Sequence, residues 1–123
     1  MTKTSIKIWG RKLRIDVIFD HYEGEDILPI QEEAIEKFLE NIKVVDESEP
    51  KVKKYCLKSD QIEDDKIDNI FKYVKPKALV AMRSKKDRVV VLLCDYKLDL
   101  EHGLAIEFKN EKFRRIGNSE IVL

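Results

Sequence analysis

The chain has 123 residues with 24 basic and 24 acidic side chains, a formal charge of zero, and two cysteines. That length supports one domain with a single core, spanning 1–123, and is too short for two. Zero net charge gives no prediction of a nucleic-acid or membrane partner, and two isolated cysteines without paired histidines exclude the usual zinc signatures.

Charge is nevertheless segregated. Met1 to Arg14 carries five basic residues and no acidic one, whereas Asp20 to Glu49 carries eleven acidic residues against two basic. The N-terminus has no apolar segment of the leader type and no apolar run approaches a membrane span, so a cytoplasmic protein is expected.

In chain order, Ser5 to Trp9 and Lys12 to Phe19 read as two strands around a turn at Gly10–Arg11. Ile6 and Ile8 share a face of the first. Leu13, Ile15, Val17 and Phe19 share a face of the second, with Trp9 and Ile18 turned the other way, as edge contacts or under a helix. A polar connector, His21 to Asp26, leads to a helix opening at Pro29, where the missing N–H has no partner to lose. Ile30, Ala34, Ile35, Phe38, Leu39 and Ile42 draw its apolar stripe, and Glu32, Glu33, Glu36 and Glu40 take the opposite face.

Val44 to Glu49 reads as a second connector with Ser48 as N-cap and Pro50 opening a short helix to Lys58, with Val52, Tyr55 and Cys56 inward. A further segment capped by Ser59 or Asp60 turns Ile67, Ile70, Phe71 and Val74 inward and stops at Pro76. Whether the two are one bent helix or two is left open. Ala78 to Met82 is then a strand, and Ser84 to Asp87 a turn. Val89 to Cys94 is an unbroken apolar strand expected to be covered on both faces. After a polar loop, Leu104, Ile106 and Phe108 alternate with Ala105, Glu107 and Lys109, as on a sheet with one wetter face. Asn110–Glu111 occupies the place of a two-residue hairpin turn, although Glu is a poor substitute for Gly there, and Lys112 to Ile116 returns. The predicted fold is α+β: a mostly antiparallel sheet, made of an N-terminal hairpin plus C-terminal strands, with two or three helices inserted between and packed on one face.

Two sets of residues could carry a function. Asp95, Asp99, Glu101 and His102 could gather a divalent ion or pair a carboxylate with a histidine, but their spacing fits no calcium-loop or zinc pattern, and capping a strand connection is the simpler role. The acidic surface of Glu25, Asp26, Glu32, Glu33, Glu36 and Glu40 could enter the cationic cleft of a nuclease or simply keep a helix soluble. The scattered basic segments read as solvated faces. No nucleophile elbow, phosphate loop, dinucleotide fingerprint or zinc-protease motif is present, so no catalytic residue and no cofactor is expected.

Cys94–Asp95 followed by Asp99-Leu100-Glu101-His102-Gly103-Leu104-Ala105-Ile106-Glu107-Phe108-Lys109-Asn110, then Phe113 and Ile116–Gly117, resembles the C-terminal signature of a family of small bacterial domains of unknown function. Members of that family are described as immunity-type proteins of polymorphic toxin or contact-dependent growth inhibition systems. Glu111 stands where such sequences often have Gly. The resemblance implies a non-enzymatic cytoplasmic protein that binds and neutralises a cognate toxin domain, with no catalytic residues and no direct nucleic-acid partner. The charged helical exterior is then the expected contact. The alternatives are a small ligand- or metal-binding domain using the Asp95 to His102 loop, or a general protein-interaction module.

Overall fold

A computed structural model describes residues 2–59, 61–62 and 66–122. Six strands form one sheet in sequence order: β1 (Thr2–Ile8), β2 (Arg11–Phe19), β3 (Val74–Ala81), β4 (Val89–Tyr96), β5 (Leu104–Lys109) and β6 (Lys112–Gly117). All neighbours are antiparallel except β2 and β3, which run parallel. A parallel pair needs a long crossover, and this one contains both helices, α1 (Pro29–Glu40) and α2 (Lys43–Leu57). Two short 3-10 turns, Ile70–Lys72 and Ser119–Val122, complete the order. The expected α+β architecture is what the chain forms.

The helices cover one sheet face. Ala34, Ile35 and Phe38 of α1 and Val45, Val52 and Cys56 of α2 share a core with Ile15 and Val17 of β2, Leu92 of β4 and Ile106 and Phe108 of β5. Phe38 and Phe108 meet with ring centroids 5.1 Å apart. A smaller cluster lies on the other face, where Val80, Val91 and Ala105 are buried with Ile121 and Val122 of the last turn packed against them. This explains the continuous apolar run of β4, which is covered on both sides. It also corrects the wetter face expected of β5, where Ala105 and Glu107 are buried too.

Several local expectations give way to tertiary contacts. The first hairpin turn is Trp9–Gly10, one residue earlier than expected, with Ile8 facing Arg11 and φ of +49° and +83° at the two turn residues. Trp9 is no edge contact. Its indole Nε1 donates to the Val45 carbonyl at 3.0 Å and its backbone N–H to Asp46 Oδ1 at 2.8 Å.

Those bonds fall on residues read as a connector. Val44 to Glu49 is instead the first half of α2, Ser48 is a buried helix residue and not a cap, and Pro50 lies inside the helix. Val45, Ser48, Val52 and Cys56 continue one inward stripe through the proline, and Pro50 is itself exposed, so water can reach the carbonyl its ring leaves unpaired. No further α-helix follows among the described residues. Asp60 lies outside them, Ile70 to Lys72 makes a single 3-10 turn with Asn69 as its cap, and β3 already begins at Val74. Pro76 does not end an element. It sits in β3 next to a register shift against β4, where a missing N–H is tolerated.

The second hairpin closes through Asn110 and Glu111 alone, with φ of +49° and +64° and Lys109 facing Lys112. A glutamate at positive φ is strained, and Arg88 holds it in place by a bidentate pair, Nε to Oε2 at 2.8 Å and Nη2 to Oε1 at 3.1 Å.

Candidate functional site

Helix α1 begins on Leu28, whose side chain cannot cap. Gln31 substitutes from within the first turn. Its Oε1 accepts the Leu28 N–H at 2.8 Å, while its Nε2 donates to the carbonyls of Asp20 at 2.6 Å and Ala81 at 2.9 Å. The side chain is 1% exposed, so this glutamine bolts the helix entrance to the ends of β2 and β3. At 100° per residue, Glu32, Glu36, Glu40 and Glu33 fall within an arc of roughly 100° on the side away from the sheet, and all four are exposed. Glu40 meets Lys37 at 3.7 Å; among the described residues no ion pair involves Glu32, Glu33 or Glu36.

The connector before the helix is more ordered than its composition implies. Arg83 pairs with Glu25 at 2.7 Å, donates to the Asp26 carbonyl at 3.1 Å, and lies 5.5 Å from the Tyr22 ring centroid. Glu25 is therefore engaged internally, while the carboxylate of Asp26 is exposed. Tyr22, 68% exposed, and Ile27, 39% exposed, are large apolar side chains that this connector leaves in solvent. Sequence pattern gives Gln31, Tyr22 and Ile27 no role and counts Arg83 only among the scattered basic segments that read as solvated faces, whereas Arg83 clamps this loop. A glutamine at the third helical position is the one signal available, since half of a capping box needs no more than that.

The loop from Asp95 to His102 does not assemble as a ligand set. Asp95 meets Lys77 at 3.3 Å, and only Asp99 and His102 touch, with Nδ1 3.2 Å from both carboxylate oxygens. Among the described residues no three His, Cys, Asp or Glu side chains are grouped to hold an ion, which removes the geometry from the metal reading of Asp95, Asp99, Glu101 and His102. The bonds are those of a turn: Asp99 Oδ1 accepts the His102 N–H at 3.1 Å and the Asp99 carbonyl accepts the Gly103 N–H at 2.8 Å. Neither cysteine is poised for nucleophilic work, because burial pushes both thiols up, away from the thiolate.

The Asp99–His102 pair makes stability depend on pH. The His102 amide bond, then the ring, hold the Asp99 carboxyl below its ordinary range, and Asp99 holds the imidazole above its own. The imidazole's contribution is complete below its unfolded pKa of about 6.5 and is lost as pH rises through the higher folded value. The carboxylate's is complete above about 3.9 and is lost as pH falls through the lower folded value. The pair supports the fold best between those limits. Urea unfolding at stepped pH should show wild type losing stability from about pH 6.5 upward relative to His102→Gln; parallel curves would mean that the pair does not sense folding.

Fold and surface define a small α+β domain with an acidic helical exterior, whose described residues contain no helix long and apolar enough to cross a membrane. The chain belongs to the family described as Domain of unknown function (DUF6985), whose model matches residues 1–123. No curated protein and no solved structure matches the chain.

Proposed function

We propose that the chain is a non-enzymatic binding protein of the cytoplasm that neutralises a cognate toxin domain, in the manner of an immunity protein, through the outer face of α1 and the loop before it. The observation that carries the reading is the row of exposed carboxylates at Glu32, Glu33, Glu36 and Glu40 on one helix, of which the first three enter no ion pair among the described residues. Such a row matches the phosphate-binding cleft of a nuclease in charge, and it steers the encounter before docking. Tyr22 and Ile27 add the apolar contacts that a purely charged face lacks, and Arg83 holds Tyr22 and the loop at Glu25 and Asp26 before the partner arrives.

The test is to co-express the chain with the C-terminal domain of a secreted protein encoded by the adjacent gene. Protection and co-elution should both be lost on Glu32→Lys, Glu33→Lys and Glu36→Lys together. Tyr22→Ala should speed dissociation roughly tenfold with little change in association. Lack of protection by the wild-type chain would end the proposal.

A further inference from the structure

We propose that the outer face of the β1–β2 hairpin is a second docking surface, for an acidic amphipathic segment of a protein partner. Strand alternation turns Lys3, Lys7, Lys12, Arg14, Asp16 and Ile18 away from the helices, onto the side of the sheet opposite α1. The register sets Lys3 against Asp16, Ser5 against Arg14 and Lys7 against Lys12. Lys3 takes the one carboxylate, at 3.0 Å, and no ion pair involves Lys7, Lys12 or Arg14 among the described residues. Two lysines directly opposed across antiparallel strands work against the pairing. Lysines on an exposed edge strand deter chance pairing with other chains, which accounts for β1 but not for Lys12 and Arg14, since β2 lies between β1 and β3. Among the described residues neither of those two cations enters an ion pair.

Beside them Ile18 is 39% exposed, whereas Val80, opposite it on β3, is buried in the small cluster under the last turn, so one exposed apolar side chain borders the cations. An apolar side chain flanked by charge offers an anchor to a protein partner, and a helix can layer over the part of this sheet face, at β1 and β2, that lies outside the cluster under the last turn. Charge selects the occupant. The same face of a second copy would set these cations against themselves, and no aromatic ring stands here for bases to stack on. A helix with leucines on one stripe and carboxylates around it satisfies both halves of the surface.

The probe is a fluorescein-labelled synthetic helix of about 20 residues, with Leu along one stripe and Glu elsewhere, titrated by anisotropy at low salt beside a DNA duplex of similar length; sedimentation of the wild-type chain alone runs in parallel. Saturable peptide binding is expected, weakened at least tenfold by Lys7→Glu, Lys12→Glu and Arg14→Glu together and severalfold by Ile18→Ser. Glu32→Lys should leave it intact, which separates this surface from the α1 face. Unchanged melting verifies each variant's fold. The proposal is overturned by no binding, by equal binding to the charge-reversed variant, by a duplex that binds where the peptide does not, or by salt-sensitive self-association lost equally on reversing either face.

Discussion

Replacing Gly103 by Ala should cost about 2–4 kcal/mol and lower the melting temperature by roughly 10 °C. Gly103 has φ of +67°, and a Cβ built there would lie 2.7 Å from the backbone carbonyl oxygen of Cys94. The left-handed conformation alone accounts for about 1–2 kcal/mol in an L-residue. The clash adds to it because neither side can retreat: Cys94 is paired with Leu104 at the start of β5, Gly103 donates to the Asp99 carbonyl, and the Ser119 N–H holds the His102 carbonyl at 2.9 Å. Gly24 supplies the comparison. It has φ of +81° with open space where a Cβ would go, so Gly24→Ala should show only the conformational cost. Equal melting of the two variants would show that the loop before β5 yields freely.

The second large effect should come from removing the two guanidinium groups over Glu107. This carboxylate is 5% exposed on the sheet face opposite the helices, facing Val91 across the β4–β5 register. A register shift in β6 brings two consecutive arginines to it: Arg115 Nη2 donates to Oε1 at 3.1 Å, and Arg114 Nε approaches Oε2 at 3.2 Å as an ion contact off the hydrogen-bond axis. Taking away both leaves a buried charge unpaired, which costs far more than the pairs contribute. Because each arginine is more than half exposed, water tempers the loss, and Arg114→Ala with Arg115→Ala should cost about 2–3 kcal/mol. Glu107→Gln alone should cost about 1 kcal/mol. The decisive measurement is the triple variant: adding Glu107→Gln to the double arginine variant should restore stability. If it destabilises further, the carboxylate was never the stranded group.

The residues that revealed their structure in advance are those whose partners are close in sequence. Helix α1 is legible from Pro29 and a stripe that closes every third or fourth residue, and β4 to β6 from runs joined by short turns. The first half of α2 is not, because Ser48 and Pro50 together imitate a helix start. What keeps that half helical is its inward stripe together with Trp9, whose bonds reach across 36 and 37 residues. Pro76 hides the start of β3 in the same way, since nothing in the sequence marks the register shift that accommodates it. The carboxylates of the acidic face were visible as a helical pattern. The groups that fix the loop leading into it were not, because Arg83 reaches Asp26 over 57 residues and Gln31 reaches Ala81 over 50.

Segregated charge has a consequence for how the molecule moves. With the carboxylates of Glu32, Glu33 and Glu36 on the outer surface of α1 and Lys7, Lys12 and Arg14 on the opposite side of the sheet, a protein of zero formal charge presents patches of opposite sign on two of its sides. A neighbouring field exerts no net pull on such a body until they are close, but it does exert a torque. Within about 8 Å at physiological ionic strength, a charged macromolecule therefore rotates the domain before it draws it in, and the sign of its charge selects which side arrives first.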